Sequence, residues 1–106
     1  MSTLSEQVLR AGAGEFVDRK VDRAYVHDGT GVLTLEAFRN MSVHIENPTR
    51  NYVIFDHITP PNNSTTATLQ AELREFALER GLFLSDTGGG RCHQVMGEYV
   101  VLPGEI

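Results

Sequence analysis

The chain has 106 residues, 41% hydrophobic and 22% charged, with a formal net charge of −5. That suits one domain with a modest core, and it excludes a disordered chain. The acidic balance, without any Lys/Arg cluster, argues against nucleic acid or an anionic membrane surface as partner.

A single cysteine excludes an internal disulfide. The opening Met1-Ser2-Thr3-Leu4-Ser5-Glu6 lacks the basic and apolar regions of a signal peptide, and no apolar run approaches the ~20 residues of a membrane span. A cytoplasmic protein with no membrane partner is expected. Thr3-Leu4-Ser5-Glu6 has the capping-box pattern and predicts a helix from about Leu4 to Arg10, ended by Ala11-Gly12-Ala13-Gly14. Val21 to His27 reads as a strand, and His27-Asp28-Gly29-Thr30-Gly31 as a tight turn. Leu33, Ala37, Phe38 and Met41 share one face of a second helix. Val43 to Arg50 is a polar connection. Tyr52-Val53-Ile54-Phe55 is the clearest strand.

Asn63 or Ser64 caps the next helix, whose apolar stripe is Leu69, Leu73, Phe76 and Ala77 and whose end is Gly81. Leu82-Phe83-Leu84 predicts a third strand and Ser85 to Arg91 a loop. Tyr99 to Leu102 predicts a fourth strand before Pro103-Gly104. The alternation implies an α/β fold over residues 1–106, with three layers and a mostly parallel sheet flanked by helices. The chain stops on apolar Ile106 straight after a turn signal, which reads as a truncation.

In a parallel sheet the strand C-termini share one edge, where chemistry is usually placed. His27-Asp28, Asp56-His57 and His93 would gather there. Imidazole gains and loses a proton near neutral pH, and a neighbouring carboxylate orients the ring. Structural readings stand beside these. Asp28 can cap the helix that follows, and Asp56-His57 and His93 divide evenly between structure and function. Gly88-Gly89-Gly90-Arg91 could cradle an anion but has no nucleotide-binding fingerprint, and it reads better as a flexible loop delivering Cys92-His93. Cys92 without a second cysteine reads as a small buried thiol rather than a nucleophile or metal ligand.

Five segments then carry a resemblance. They are His27-Asp28-Gly29-Thr30-Gly31, Val53-Ile54-Phe55-Asp56-His57 with Pro60, Leu73-Arg74-Glu75-Phe76-Ala77, Gly88-Gly89-Gly90-Arg91-Cys92-His93-Gln94-Val95, and Leu102-Pro103-Gly104. In order and spacing the chain resembles the N-terminal part of aconitase-superfamily enzymes, above all the large subunits of 3-isopropylmalate dehydratase and homoaconitase. The resemblance implies a hydro-lyase acting on a small hydroxy di- or tricarboxylic acid. Full-length members use a [4Fe-4S] cluster as Lewis acid. It implies that Asp56, His57 and His93 are catalytic, with His57 protonating the departing hydroxyl, and that Asp28, Thr30 and Gln94 lie against the substrate. The implied partners are the remainder of the large subunit and a separate small subunit.

Departures accompany the likeness. Family members are several times longer, and this chain stops before their Asp-Ser-His segment and their three cluster cysteines, none of which Cys92 matches. The stretch Glu15 to Arg19 is shorter than usual, and Val32 replaces a glutamine of the aconitases. This chain alone is therefore expected to hold no cofactor or metal, to lack dehydratase activity and to self-associate through its sheet edge. The alternatives are a stand-alone module binding a carboxylate or a metal, and a non-catalytic partner docking on another subunit.

Overall fold

The computed structural model describes residues 1–106. The Thr3 hydroxyl accepts from the Glu6 N–H and the Glu6 carboxylate from the Thr3 N–H, closing the capping box of α1 (Leu4–Leu9). Strand β1 is Ala24–His27, shorter than expected. The reason lies in its approach: the N–H groups of Asp22 and Arg23 both donate to the Ile106 carbonyl instead of to a neighbouring strand.

Helix α2 (Asp28–Met41) follows β1 without a break. The Gly29 N–H donates to His27 Nδ1, so the ring of the last strand residue caps the helix. The turn expected over His27 to Gly31 is therefore a first helical turn, and Asp28 lies inside that turn instead of capping it. A Cβ on Gly31 would stand 2.7 Å from Leu73 Cδ2, so this glycine sets the contact with the next helix. The packed face consequently runs through Gly31 and Leu35, with Phe38 partly buried. Leu33, Ala37 and Met41, expected on that face, are exposed.

A short 3-10 turn at Pro48–Arg50 leads into β2 (Asn51–Ile54). The Asn63 side chain caps α3 (Ser64–Arg80), and Gly81 ends it in the left-handed region at φ 73°. The buried face of α3 is Gln70, Leu73, Phe76 and Ala77, while Leu69 is 39% exposed. Strand β3 (Phe83–Ser85) completes a three-stranded sheet of order β1-β2-β3, parallel throughout.

The apolar run of β2 is buried on both faces, as a central parallel strand requires. Val53 and Phe55 pack with Leu35, Leu73, Phe76 and Ala77. Tyr52 and Ile54 pack on the opposite face with Cys92, Val95 and Met96. Those three belong to α4 (Cys92–Val95) and to a π-helical turn, Met96–Val100. The three expected layers are thus α2 with α3, the sheet, and α4 with the π turn. The fourth strand expected over Tyr99 to Leu102 is absent. The Val101 N–H donates to the Met96 carbonyl, and this coil keeps Met96 buried against β2. No helix is long and apolar enough to cross a membrane.

Candidate functional site

The ends of β1 and β2 meet through Asp28. Its side chain is fully buried, and its carboxylate is surrounded by donors. Oδ1 accepts from the N–H groups of Asp56 at 3.0 Å and His57 at 2.8 Å. Oδ2 accepts from the Ile58 N–H at 2.7 Å and from Gln70 Nε2 at 3.2 Å. Burial alone would raise the Asp28 pKa. The N–H groups of Ile58, His57 and Asp56 outweigh it and hold the carboxyl below its ordinary value.

His57 Nδ1 lies 2.5 Å from Asp56 Oδ1, and Asp56 Oδ2 accepts from the Cys92 N–H at 2.6 Å. Burial pushes the Asp56 pKa up, but the Cys92 N–H and the His57 ring outweigh it and keep the carboxyl ionised to lower pH. An ionised carboxylate only accepts, so the proton between the two belongs to His57 Nδ1. That leaves Nε2 as the working nitrogen of an exposed ring.

His27 has the opposite arrangement. Its Nδ1 accepts from the Gly29 N–H at 3.0 Å, so in the neutral ring the proton sits on Nε2. The two rings are stacked, with centroids 3.6 Å apart and planes inclined by 8°. The strand ends therefore offer a ring N–H donor and a ring nitrogen that can accept or deliver a proton.

Ligand atoms of His27, Asp28, Asp56 and His57 all lie within 4.8 Å of one another. The Asp28 carboxylate is fully occupied, however, with four donors on its two oxygens. Both oxygens of Asp28 and of Asp56 accept protein hydrogen bonds, as does His27 Nδ1. A tetrahedral cation needs three or four free donors, so this set suits proton chemistry better than metal binding.

The remaining expected residues lie apart from this stack. His93 is exposed on α4, its Nδ1 3.1 Å from the Tyr25 hydroxyl. Tyr25 and His27 share one face of β1, so His93 stands on the site's side of the sheet with a different partner. Thr30 is exposed in the first turn of α2, and Gln94 is exposed on α4. Neither side chain bonds to Asp56 or His57.

The glycine loop before α4 is anchored by Asp86, which Arg74 grips through two nitrogens at 2.6 and 2.9 Å. The loop delivers Cys92, whose N–H holds Asp56. Sequence reasoning missed Gln70. Its signal was a polar residue three and seven positions before the buried Leu73 and Ala77, on their helix face.

An iron–sulfur cluster needs several cysteine thiolates. The chain has one cysteine, Cys92, at 1% exposure. Burial, and then the Asp56 carboxylate, push its thiol up, away from the thiolate. The residues present do not fit such a cluster.

No family model matches the chain. Curated relatives do. The chain is 40% identical over 98% of its length to the 3-isopropylmalate dehydratase large subunit of Elusimicrobium minutum, covering 27% of that relative. Against the 3-isopropylmalate dehydratase large subunit of Pyrococcus horikoshii it is 44% identical over 91% of its length, covering 24% of that relative. Against the methanogen homoaconitase large subunit of Methanocaldococcus jannaschii the values are 40%, 95% and 26%. The motif-level likeness therefore extends along nearly the whole chain. Over nearly all of its length the chain is similar to the large subunits of 3-isopropylmalate dehydratase and homoaconitase, and it spans about a quarter of theirs.

Proposed function

We propose that this chain forms one α/β unit of an aconitase-type hydro-lyase and supplies the Asp–His half of its active site. The observation that carries this reading is the Asp56 carboxylate 2.5 Å from His57 Nδ1, at the end of β2. The substrate is a small hydroxy di- or tricarboxylic acid such as isopropylmalate. Hydroxide is a poor leaving group, so its departure requires a proton. His57 delivers that proton from Nε2 as the C–O bond breaks, while Asp56 accepts from Nδ1 and stabilises the imidazolium; the carbon-bound proton lost as the double bond forms goes to a base outside these residues. In the reverse direction Nε2 takes a proton from the incoming water. His93 is the second catalytic imidazole, and Thr30 and Gln94 contact the acid. Any cluster ligands, the carboxylate clamps and a small-subunit contact come from polypeptide outside these residues. The isolated chain is inactive.

A chimera tests this. The chain replaces the matching quarter of the Elusimicrobium minutum large subunit, and isopropylmalate dehydration is followed by the absorbance of the new double bond. The chimera should turn over, and His57→Gln should slow it by about 10²–10⁴-fold, the usual share of a general acid. A folded but inert chimera, or full activity with His57→Gln, would refute the reading.

A further inference from the structure

Gln70 is a buried polar residue on an apolar helix face, 2% exposed beside Leu73, Phe76 and Ala77. A buried amide is costly unless it is bonded. Its nitrogen donates both protons, to Asp28 Oδ2 at 3.2 Å and to the Ile58 carbonyl at 2.7 Å. The same Asp28 carboxylate collects three consecutive backbone N–H groups, from Asp56 to Ile58. The backbone that bears the Asp56–His57 pair is thus curled around one buried anion, which is itself held from α3. Fixing three successive peptide planes fixes the directions in which the Asp56 and His57 side chains leave the backbone.

The arrangement also has an electrostatic side. Asp28 Oδ1 stands 4.0 Å from His57 Nδ1, and Asp56 Oδ1 stands 2.5 Å from the same nitrogen. Both anions lie on the Nδ1 side of the ring, so the ring's proton is drawn to that nitrogen.

We propose that Gln70 and Asp28 are positioning residues that hold the backbone from Asp56 to Ile58 and thereby fix the His57 ring in its Nδ1–H tautomer. Asp28 acts through this loop, its side chain buried and both oxygens taken by protein donors. The functional meaning rests on His57 being the proton carrier.

Nitrogen-15 NMR of the histidine rings in the 106-residue chain, without substrate, tests the proposal. The unmodified chain should show His57 as the Nδ1–H tautomer. Gln70→Leu removes the two donors, and Gln70→Glu replaces the amide with an acceptor of the same shape. Either should mix the tautomers and speed amide exchange at His57 and Ile58 by at least about tenfold, as expected for lost hydrogen bonds to a charged group. The methyl resonances of Val53 and Leu73 report whether the fold is kept. A folded variant that retains the tautomer and the slow exchange overturns the proposal.

If both variants unfold, the unmodified chain still decides. Its His57 and Ile58 amide resonances should titrate together with the Asp28 carboxyl carbon, and independence from Asp28 overturns the proposal. An inert chimera with an intact Nδ1–H tautomer would sink the hydro-lyase reading alone. An active chimera whose His57 ring ignores Gln70 and Asp28 would sink this one alone.

Discussion

The rings of His27 and His57 lie face to face, 3.6 Å between centroids. His27 serves two elements at once, because its Nδ1 caps α2 while its face supports the His57 ring. The two roles separate by substitution. Asparagine is among the best capping residues, and alanine among the poor ones. His27→Ala should cost about 1 kcal/mol in urea unfolding, whereas His27→Asn should cost less or nothing. Both should free the His57 ring, seen as faster ring motion in NMR relaxation. Equal losses for the two variants would contradict the capping role.

Acid should unfold the chain through a few identifiable carboxyls. Asp28 and Asp56 are held low by hydrogen bonds that outweigh their burial, and Asp86 is held low first by the Arg74 guanidinium. A depressed folded-state pKa means that the unfolded chain takes up protons first as pH falls, near about pH 4. Below that point the unfolded state binds more protons, so stability rises with pH in this window. The urea midpoint should be flat from neutrality to about pH 5 and fall steeply below about pH 4. Asp28→Asn should make the slope shallower, and an unchanged slope would remove Asp28 from the account.

Gly31→Ala sets two effects against each other. Alanine gains up to about 1 kcal/mol of helix propensity. The new Cβ would stand 2.7 Å from Leu73 Cδ2 and 3.3 Å from Val26 Cγ2. Leu73 is only 2% exposed, so it has little room to move aside. Overpacking of this kind costs about 1–3 kcal/mol, and net destabilisation is the expected result in denaturant titration. Gly31→Ala with Leu73→Val should recover part of the loss.

The Cys92 thiol should be a poor nucleophile. It is buried, and burial together with the Asp56 carboxylate pushes its pKa up. Alkylation at neutral pH should run at least about tenfold slower than for a free cysteine, which has a pKa near about 8.5. Reaction at the free rate would mean that α4 opens readily from the sheet.

Legibility from sequence followed the range of the interactions. Helix α3 was readable because its cap, stripe and terminal glycine are local signals. Strand β2 was readable as a short apolar run, and Asp56-His57 as the polar pair that ends it. Tyr99 to Leu102 looked like a strand because four apolar residues in a row do not distinguish a strand from the end of a helical turn, and Tyr99, Val101 and Leu102 are in fact exposed. The site's wiring was illegible because its partners are distant in the chain. Asp28 bonds residues 28 to 30 positions away, and His93 bonds Tyr25 across 68. No periodicity encodes such pairings.

The alternation of β2 has a consequence for the evolution of the site. Tyr52 and Ile54 face α4, and Val53 and Phe55 face α2 and α3. Asp56 continues the even-numbered series, which is why its carboxylate meets the Cys92 N–H. Side chains of a strand change sides at every step. Inserting or deleting one residue between Ile54 and Asp56 would carry the acid beneath α2 and α3, away from that N–H, with no side chain exchanged. Parity along this segment thus constrains the site as strictly as residue identity does, and lineages keeping the chemistry should tolerate substitutions here far better than changes in length.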